Sequence, residues 1–123
     1  MSEMIKEAEK NERPEPLTLK YPDGTTYTLE FNRESVVFAE TRGISVDAVG
    51  ERLMTMLPEF FFCAFRMHHP QLKKTKTDKI LFEDLGGLTT KQLERLILLF
   101  NEPYKTLVSE DEEQKNAKLT VIM

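Results

Sequence analysis

Leu17-Thr18-Leu19-Lys20-Tyr21-Pro22-Asp23-Gly24-Thr25-Thr26-Tyr27-Thr28-Leu29-Glu30-Phe31 is the stretch whose reading decides the fold. Leu17, Leu19 and Tyr21 alternate with Thr18 and Lys20; past the turn, Tyr27, Leu29 and Phe31 alternate with Thr28 and Glu30. A period of two gathers one set of side chains on a single strand face. Pro22-Asp23-Gly24-Thr25 supplies the fixed φ and the positive-φ position that a tight reversal needs. A hairpin alone is marginal in water, so its Leu/Tyr/Phe face must lie on helices or join another strand.

Helical signals follow. Asn32 caps a short helix containing Val36, Val37, Phe38 and Ala39, closed by Gly43, which tolerates a left-handed stop. Ser45 caps a second, with Asp47 in its first turn and Val46, Val49, Leu53, Met56 and Leu57 as its buried stripe. Pro58 is expected to kink this helix or to start a new one. Phe60 to Met67 is apolar almost all round, the mark of a helix buried on several sides, and Pro70 stops it. A lysine-rich loop, with Lys73, Lys74, Lys76 and Lys79, leads to a short helix carrying Ile80, Leu81 and Leu85, ended by Gly86-Gly87.

The best-specified start lies at Thr89. Thr89 and Gln92 form a capping box, and Leu88 and Leu93 hold the positions of a hydrophobic staple. Leu93, Leu96, Ile97, Phe100 and Tyr104 continue the stripe until Pro103 bends or ends it. The expected class is therefore α+β, mainly α: an N-terminal β-hairpin, then a compact bundle of about four to five helices, with flexible arms at both ends.

The 123 residues suit one domain. Residues 1–16 are charged and end in Pro14-Glu15-Pro16, which reads as a flexible arm in which Met1, Met4, Ile5 and Ala8 keep helical spacing. The globular domain is assigned to residues 17–108. Residues 109–123 read as an acidic flexible tail, with four consecutive acids from Glu110 to Glu113 and a short apolar end, Leu119-Thr120-Val121-Ile122-Met123. That end is a candidate strand for the hairpin edge, its own or a neighbour's.

Composition weighs against several functions. A net charge of −4 handicaps nucleic-acid binding, where phosphate neutralisation dominates, and a lysine-rich loop is usually just solvated. The N-terminus lacks the apolar centre of a signal peptide, and no run approaches the roughly 20 apolar residues of a membrane span, so a cytoplasmic protein without a membrane partner is expected. The single cysteine, Cys63, permits no internal disulfide or cysteine zinc cluster. Lying among phenylalanines, it reads as a small hydrophobe, not as a nucleophile served by His68 or His69.

His68-His69 is the only histidine pair, and neighbours on a helix point about 100° apart, poor geometry for one metal ion. Imidazoles near a helix C-terminus, facing the negative end of its dipole, are the plainer reading. Asp84 ahead of Gly86-Gly87 matches no phosphate-loop pattern, and Glu83 and Asp84 have nothing visible to raise a pKa. No catalytic, cofactor or metal residue is assigned. The expected use is protein binding. The Phe60–Phe65 cluster reads first as core packing, but four phenylalanines in six residues cover more of a helix than one core face requires. Outward members of Phe60, Phe61, Phe62 and Phe65, with Leu96, Phe100 and Tyr104, are therefore the contact candidates.

The order of elements also resembles a known family. Leu17 to Phe31 is a hairpin with a Pro-Asp-Gly turn, and Asn32 to Gly43 a short helix ending in Thr-Arg-Gly-Ile. Val46 to His69 is an aromatic helix pair ending in His-Pro, Thr77 to Gly87 contains Asp-Lys-Ile-Leu-Phe-Glu-Asp-Leu-Gly-Gly, and Thr89 to Val108 is a capped helix with Phe100-Asn101-Glu102-Pro103-Tyr104. Over about residues 17–108 this resembles the small tail assembly chaperones of long-tailed bacteriophages and related prophage proteins.

The resemblance implies a non-enzymatic protein without cofactor. It would coat the helical tape-measure protein, recruit tail-tube subunits, and be absent from the finished virion. Many relatives also have a longer form made by ribosomal frameshift. Outward aromatics and the 93–107 helix would supply apolar contact, the acidic tail and arm solubility, and the hairpin edge or the C-terminal strand a route to homo-oligomers. The competing reading is a small DNA-binding regulator of helix-turn-helix type around Gly43-Ile44-Ser45, with the lysines on phosphate. Its second helix carries Asp47, Glu51 and only Arg52, poor equipment for that task.

Overall fold

The alternation from Leu17 becomes a hairpin. In the computed structural model, which describes residues 13–108 and 118–123, strand β1 (Leu17–Lys20) pairs antiparallel with β2 (Thr26–Leu29). Leu17 faces Leu29 and Leu19 faces Tyr27, so the apolar side chains share one face. The turn closes with Tyr21 N–H donating to Thr25 O at 2.8 Å and Gly24 N–H to Tyr21 O at 3.0 Å. Gly24 has φ +95°, the left-handed geometry expected of the Pro-Asp-Gly turn.

Among the described residues five α-helices follow: α1 (Arg33–Thr41), α2 (Val46–Glu51), α3 (Leu53–Phe65), α4 (Lys74–Lys79) and α5 (Thr90–Asn101). Their ends are where the local signals place them. The Asn32 side chain accepts from Ser35 N–H, and the Ser35 hydroxyl accepts in return from Asn32 N–H. At the other end of α1, Gly43 N–H reaches Glu40 O and Ile44 N–H reaches Ala39 O, a Schellman closure that buries Ile44 over the last turn. Ser45 caps α2, and the Thr89–Gln92 box caps α5 with both reciprocal bonds present. Leu88 and Leu93 both pack on the core, as the staple requires.

The structure departs from the sequence reading at two places, the segment around Arg52 and Pro58 and the lysine-rich stretch. The chain breaks at Arg52 (φ −130°, ψ 59°), so Val46–Leu57 is two helices; Pro58 does not start one but sits buried inside α3. Proline denies an N–H to the carbonyl four residues back, here that of Met54, whose exposure lets water serve it. Leu53 consequently leaves the buried stripe and stands about half exposed.

The lysine-rich loop is a helix. Lys73 precedes α4, which contains Lys74, Lys76 and Lys79. Thr77 is wholly buried with its hydroxyl donating to Lys74 O, and Lys74 Nζ bonds Asp78 one turn on at 2.9 Å. This helix widens into a π-helical turn over Ile80–Asp84, where Leu85 N–H reaches Ile80 O at 2.8 Å. Gly86 (φ +70°) and Gly87 (φ +98°) then release the chain toward Thr89. α5 likewise tightens into a 3₁₀ turn, Glu102–Thr106, through Pro103.

One core joins these elements. Leu29 and Phe31 from the hairpin end meet Phe60, Phe61, Cys63, Ala64 and Phe65 of α3, Ile80 and Leu81 of the π turn, and Leu96, Leu99 and Phe100 of α5. Phe31 stacks on Phe60 at 5.4 Å between centroids, and Phe100 meets both edge-on. The hairpin is thus held down by helices, as its marginal size demanded. The expected flexible arm and acidic tail lie largely outside the described residues; of the tail, residues 118–123 are exposed and do not join the sheet, which has two strands.

Candidate protein-binding surface

The aromatic cluster is core, and this corrects the expected contact set. Phe60, Phe61, Phe65, Leu96 and Phe100 are buried to within a few per cent and cannot meet a partner without unfolding. The hairpin, α1 and α4 each pack on α3. What looked like an excess of aromatic faces is the demand of three neighbours at once.

Phe62 is half-buried and points outward, but it is not bare. Arg42 lies 5.3 Å from its ring centroid and 5.4 Å from that of Phe38, while Arg66 covers Phe38 at 3.9 Å. Arg42 is itself fixed by Glu59, at 3.0 Å from Nε and 2.6 Å from the terminal nitrogen. Guanidinium groups over aromatic faces screen them from water while leaving the charge wet. Tyr104 is also half-buried; its hydroxyl donates to Glu40, and desolvation followed by that bond pushes its pKa up to about 12.

The histidines hold the hairpin. His69 Nε2 accepts the Thr28 N–H at 2.9 Å, and its ring meets Tyr27 edge-on at 5.2 Å. His68 Nε2 lies 2.8 Å from Glu30 Oε1. One step along, Glu30 N–H donates to Ala64 O at 3.0 Å, using a carbonyl freed by the end of α3. Burial and the neighbouring His68 hold the His69 pKa below the ordinary imidazole value, and accepting a backbone N–H favours the neutral ring further. Sequence reasoning placed the pair at a helix end without finding this role, because the strand it serves lies some forty residues away.

Burial pushes the Cys63 thiol up to about 12, leaving no thiolate at neutral pH. Among the described residues no three of His, Cys, Asp and Glu converge as metal ligands, and no helix is long and apolar enough to cross a membrane. The helix after Gly43 is six residues long and exposes Asp47 and Glu51. The α4 lysines are partly matched by acids: Lys74 with Asp78, and Lys79 with Asp84 at 3.1 Å.

Two of the open surfaces among the described residues combine a groove with exposed apolar side chains. The first lies where α1 meets the exit of α5, a shallow groove lined by Arg33, Val36, Val37, Glu40, Pro103, Tyr104 and Leu107, with Val37, Leu107 and Val108 exposed. Nothing local in the sequence shows that α1 and the exit of α5 converge.

The second is a groove of about 310 Å³ between β1 and the π turn, bounded by Thr18, Lys20, Tyr21, Ile80, Asp84, Leu85 and Gln92. At its mouth the Tyr21 hydroxyl donates to Asp84, which Lys79 also contacts. These two bonds hold the Asp84 pKa below its usual range, and the first pushes Tyr21 up to about 12.

Comparison with curated proteins and with solved structures gave no match. A family model does match, over residues 5–123: the chain belongs to the family described as "Domain of unknown function (DUF5055)".

Proposed function

We propose that this chain is a non-enzymatic protein-binding module, and more narrowly a phage or prophage tail assembly chaperone that holds the tape-measure protein and tail-tube subunits before they polymerise. The resemblance in element order supplies the narrow form. One observation supports the general form: a folded α1–α5 exit surface keeps Val37 53%, Leu107 69% and Val108 80% exposed beside the Pro103–Tyr104 groove. Large apolar side chains grouped on stable elements lose free energy when a partner covers them. An amphipathic helix laid along the groove would do so, with Arg33 and Glu40 at its margins for polar contact.

Behind this surface α1 is held to the 3₁₀ turn after α5, where the Tyr104 hydroxyl donates to Glu40. The test is co-expression with a tape-measure protein encoded beside this chain. Co-purification and a larger soluble fraction are expected, and Val37→Asp with Leu107→Asp should abolish both while leaving the fold intact. No co-purification and unchanged solubility with the wild-type chain would reject the chaperone reading.

A further inference from the structure

The hairpin's two outer edges differ. In an antiparallel pair, residues whose N–H and C=O point at the partner strand alternate with residues whose groups point away. Tyr21 and Thr25 bond each other, so Leu19/Tyr27 and Leu17/Leu29 are the inward pairs, while Thr18/Thr28 and Lys20/Thr26 direct their backbone groups outward. On β2 this edge is closed at its α3 end, by His69 at Thr28 and, just beyond, by Ala64 at Glu30, while Thr26 beside the turn has no backbone partner among the described residues. On β1 the backbone groups of Thr18 and Lys20 have no partner among the described residues and border the groove to the π turn. Pro16 and Pro22 flank this edge without N–H donors, so it can take only a short strand.

A short strand-former is at hand. Leu119-Thr120-Val121-Ile122-Met123 has no charged side chain, is rich in strand-favouring residues, and is exposed. We infer that the outer edge of β1 receives the Leu119–Met123 segment of a second copy of this chain as an added third strand. In the added strand Leu119, Val121 and Met123 share one face, which lies over Ile80 and Leu85 in the groove, and the backbone takes up the Thr18 and Lys20 groups. The acids Glu110–Glu113 ahead of the segment are opposite in charge to Lys20 and Lys76 beside the groove. The segment stands off its own edge, which makes a neighbour the occupant. Each copy then carries one donor and one receptor, so association runs head to tail. The inference concerns copies of this chain alone and stands apart from the tape-measure reading.

The test is donor and receptor complementation in the full chain, read by sedimentation velocity against the monomer mass of 14.3 kDa. The wild type should self-associate with rising concentration. Val121→Pro spoils the donor without touching a folded element, and Thr18→Pro removes the outward N–H of the receptor. Each alone should raise the dissociation constant by about tenfold or more. Mixed, they should recover a one-to-one heterodimer that grows no further, because Thr18→Pro still brings a segment and Val121→Pro still brings an edge.

A wild type that stays monomeric overturns the inference, as does association indifferent to Val121→Pro. A fall in the thermal midpoint of Val121→Pro with no change in mass would mean that the segment pairs within its own chain, which also overturns it. Should Thr18→Pro not fold, slow exchange of the Thr18 and Lys20 amides in the wild-type oligomer, and fast exchange in Val121→Pro, carries the test.

Discussion

The two flanks of the hairpin are built from strands of equal length, and the molecule treats them oppositely. On the β2 side the sheet is sealed to α3: Tyr27 meets Phe65 edge-on at 5.7 Å, His69 takes the Thr28 amide, and Ala64 takes the next. On the β1 side an open groove separates the strand from the π turn, spanned at its mouth by the Tyr21–Asp84 bond, and Phe82 and Leu85 remain exposed. The contrast separates stabilising the fold from meeting partners. An unpaired edge is an aggregation hazard, so leaving one open is informative only because the other is closed, at its α3 end, by the His69 ring and a helix-end carbonyl.

If the β2 flank carries the stability, truncation there should hurt most. Phe65→Ala is expected to cost about 3–5 kcal/mol, the range for deleting a buried aromatic, read as a lower urea midpoint at unchanged slope. A loss comparable to that of a surface change would break the comparison. His69→Ala comes next. It strands the Thr28 N–H and removes ring contacts to Tyr27 and Phe65, for about 1–3 kcal/mol.

The same latch predicts a pH dependence. The folded His69 pKa is depressed, so the neutral ring is the form that folding favours. Its contribution is complete above the unfolded imidazole value of about 6.5 and is lost as pH falls through the lower folded value. His68 and Glu30 face the same strand end, so the diagnostic is a difference: wild type minus His69→Ala should shrink on acidification across that window. A difference that is flat or grows with acid would contradict the latch.

Effects on the β1 flank should be smaller. Gly87→Ala, at φ +98°, is expected to cost about 1 kcal/mol through backbone strain, since a Cβ there meets open space. Phe82→Ser should stay within about 0.5 kcal/mol, because the ring is 59% exposed. Thermal melts measure both, and a large loss from Phe82→Ser would mean that this flank is structural after all.

Much of this architecture was legible because its signals are local. The Pro-Asp-Gly turn, the caps at Asn32, Ser45 and Thr89, and the glycine stops each need only a few neighbouring residues, and the hairpin-plus-helices class follows from them. What escaped depends on distance. The lysine stretch hid a helix because its one buried anchor, Thr77, is polar, and its support from Asp78 is a pair that composition alone discounts. The break at Arg52 went to Pro58 instead, since proline is the louder sign but here sits where water can serve the orphaned carbonyl.

The contact surface was misplaced for a related reason. Aromatic density measures how much a helix can bury, not how many neighbours will bury it. Phe60, Phe61 and Phe65 found partners in the hairpin, α1 and the π turn, whereas the modest Val37 and Leu107 found none. No short-range pattern contains that information.

Amide hydrogen exchange at Thr18, Lys20, Thr28 and Glu30, in the Val121→Pro chain, tests the asymmetry most directly. Thr28 and Glu30 should exchange slowly, with protection close to that of global unfolding, while Thr18 and Lys20 should exchange nearly as fast as free peptide. Equal rates on the two strands, or protection at Thr18 and Lys20 greater than at Thr28, would contradict the account.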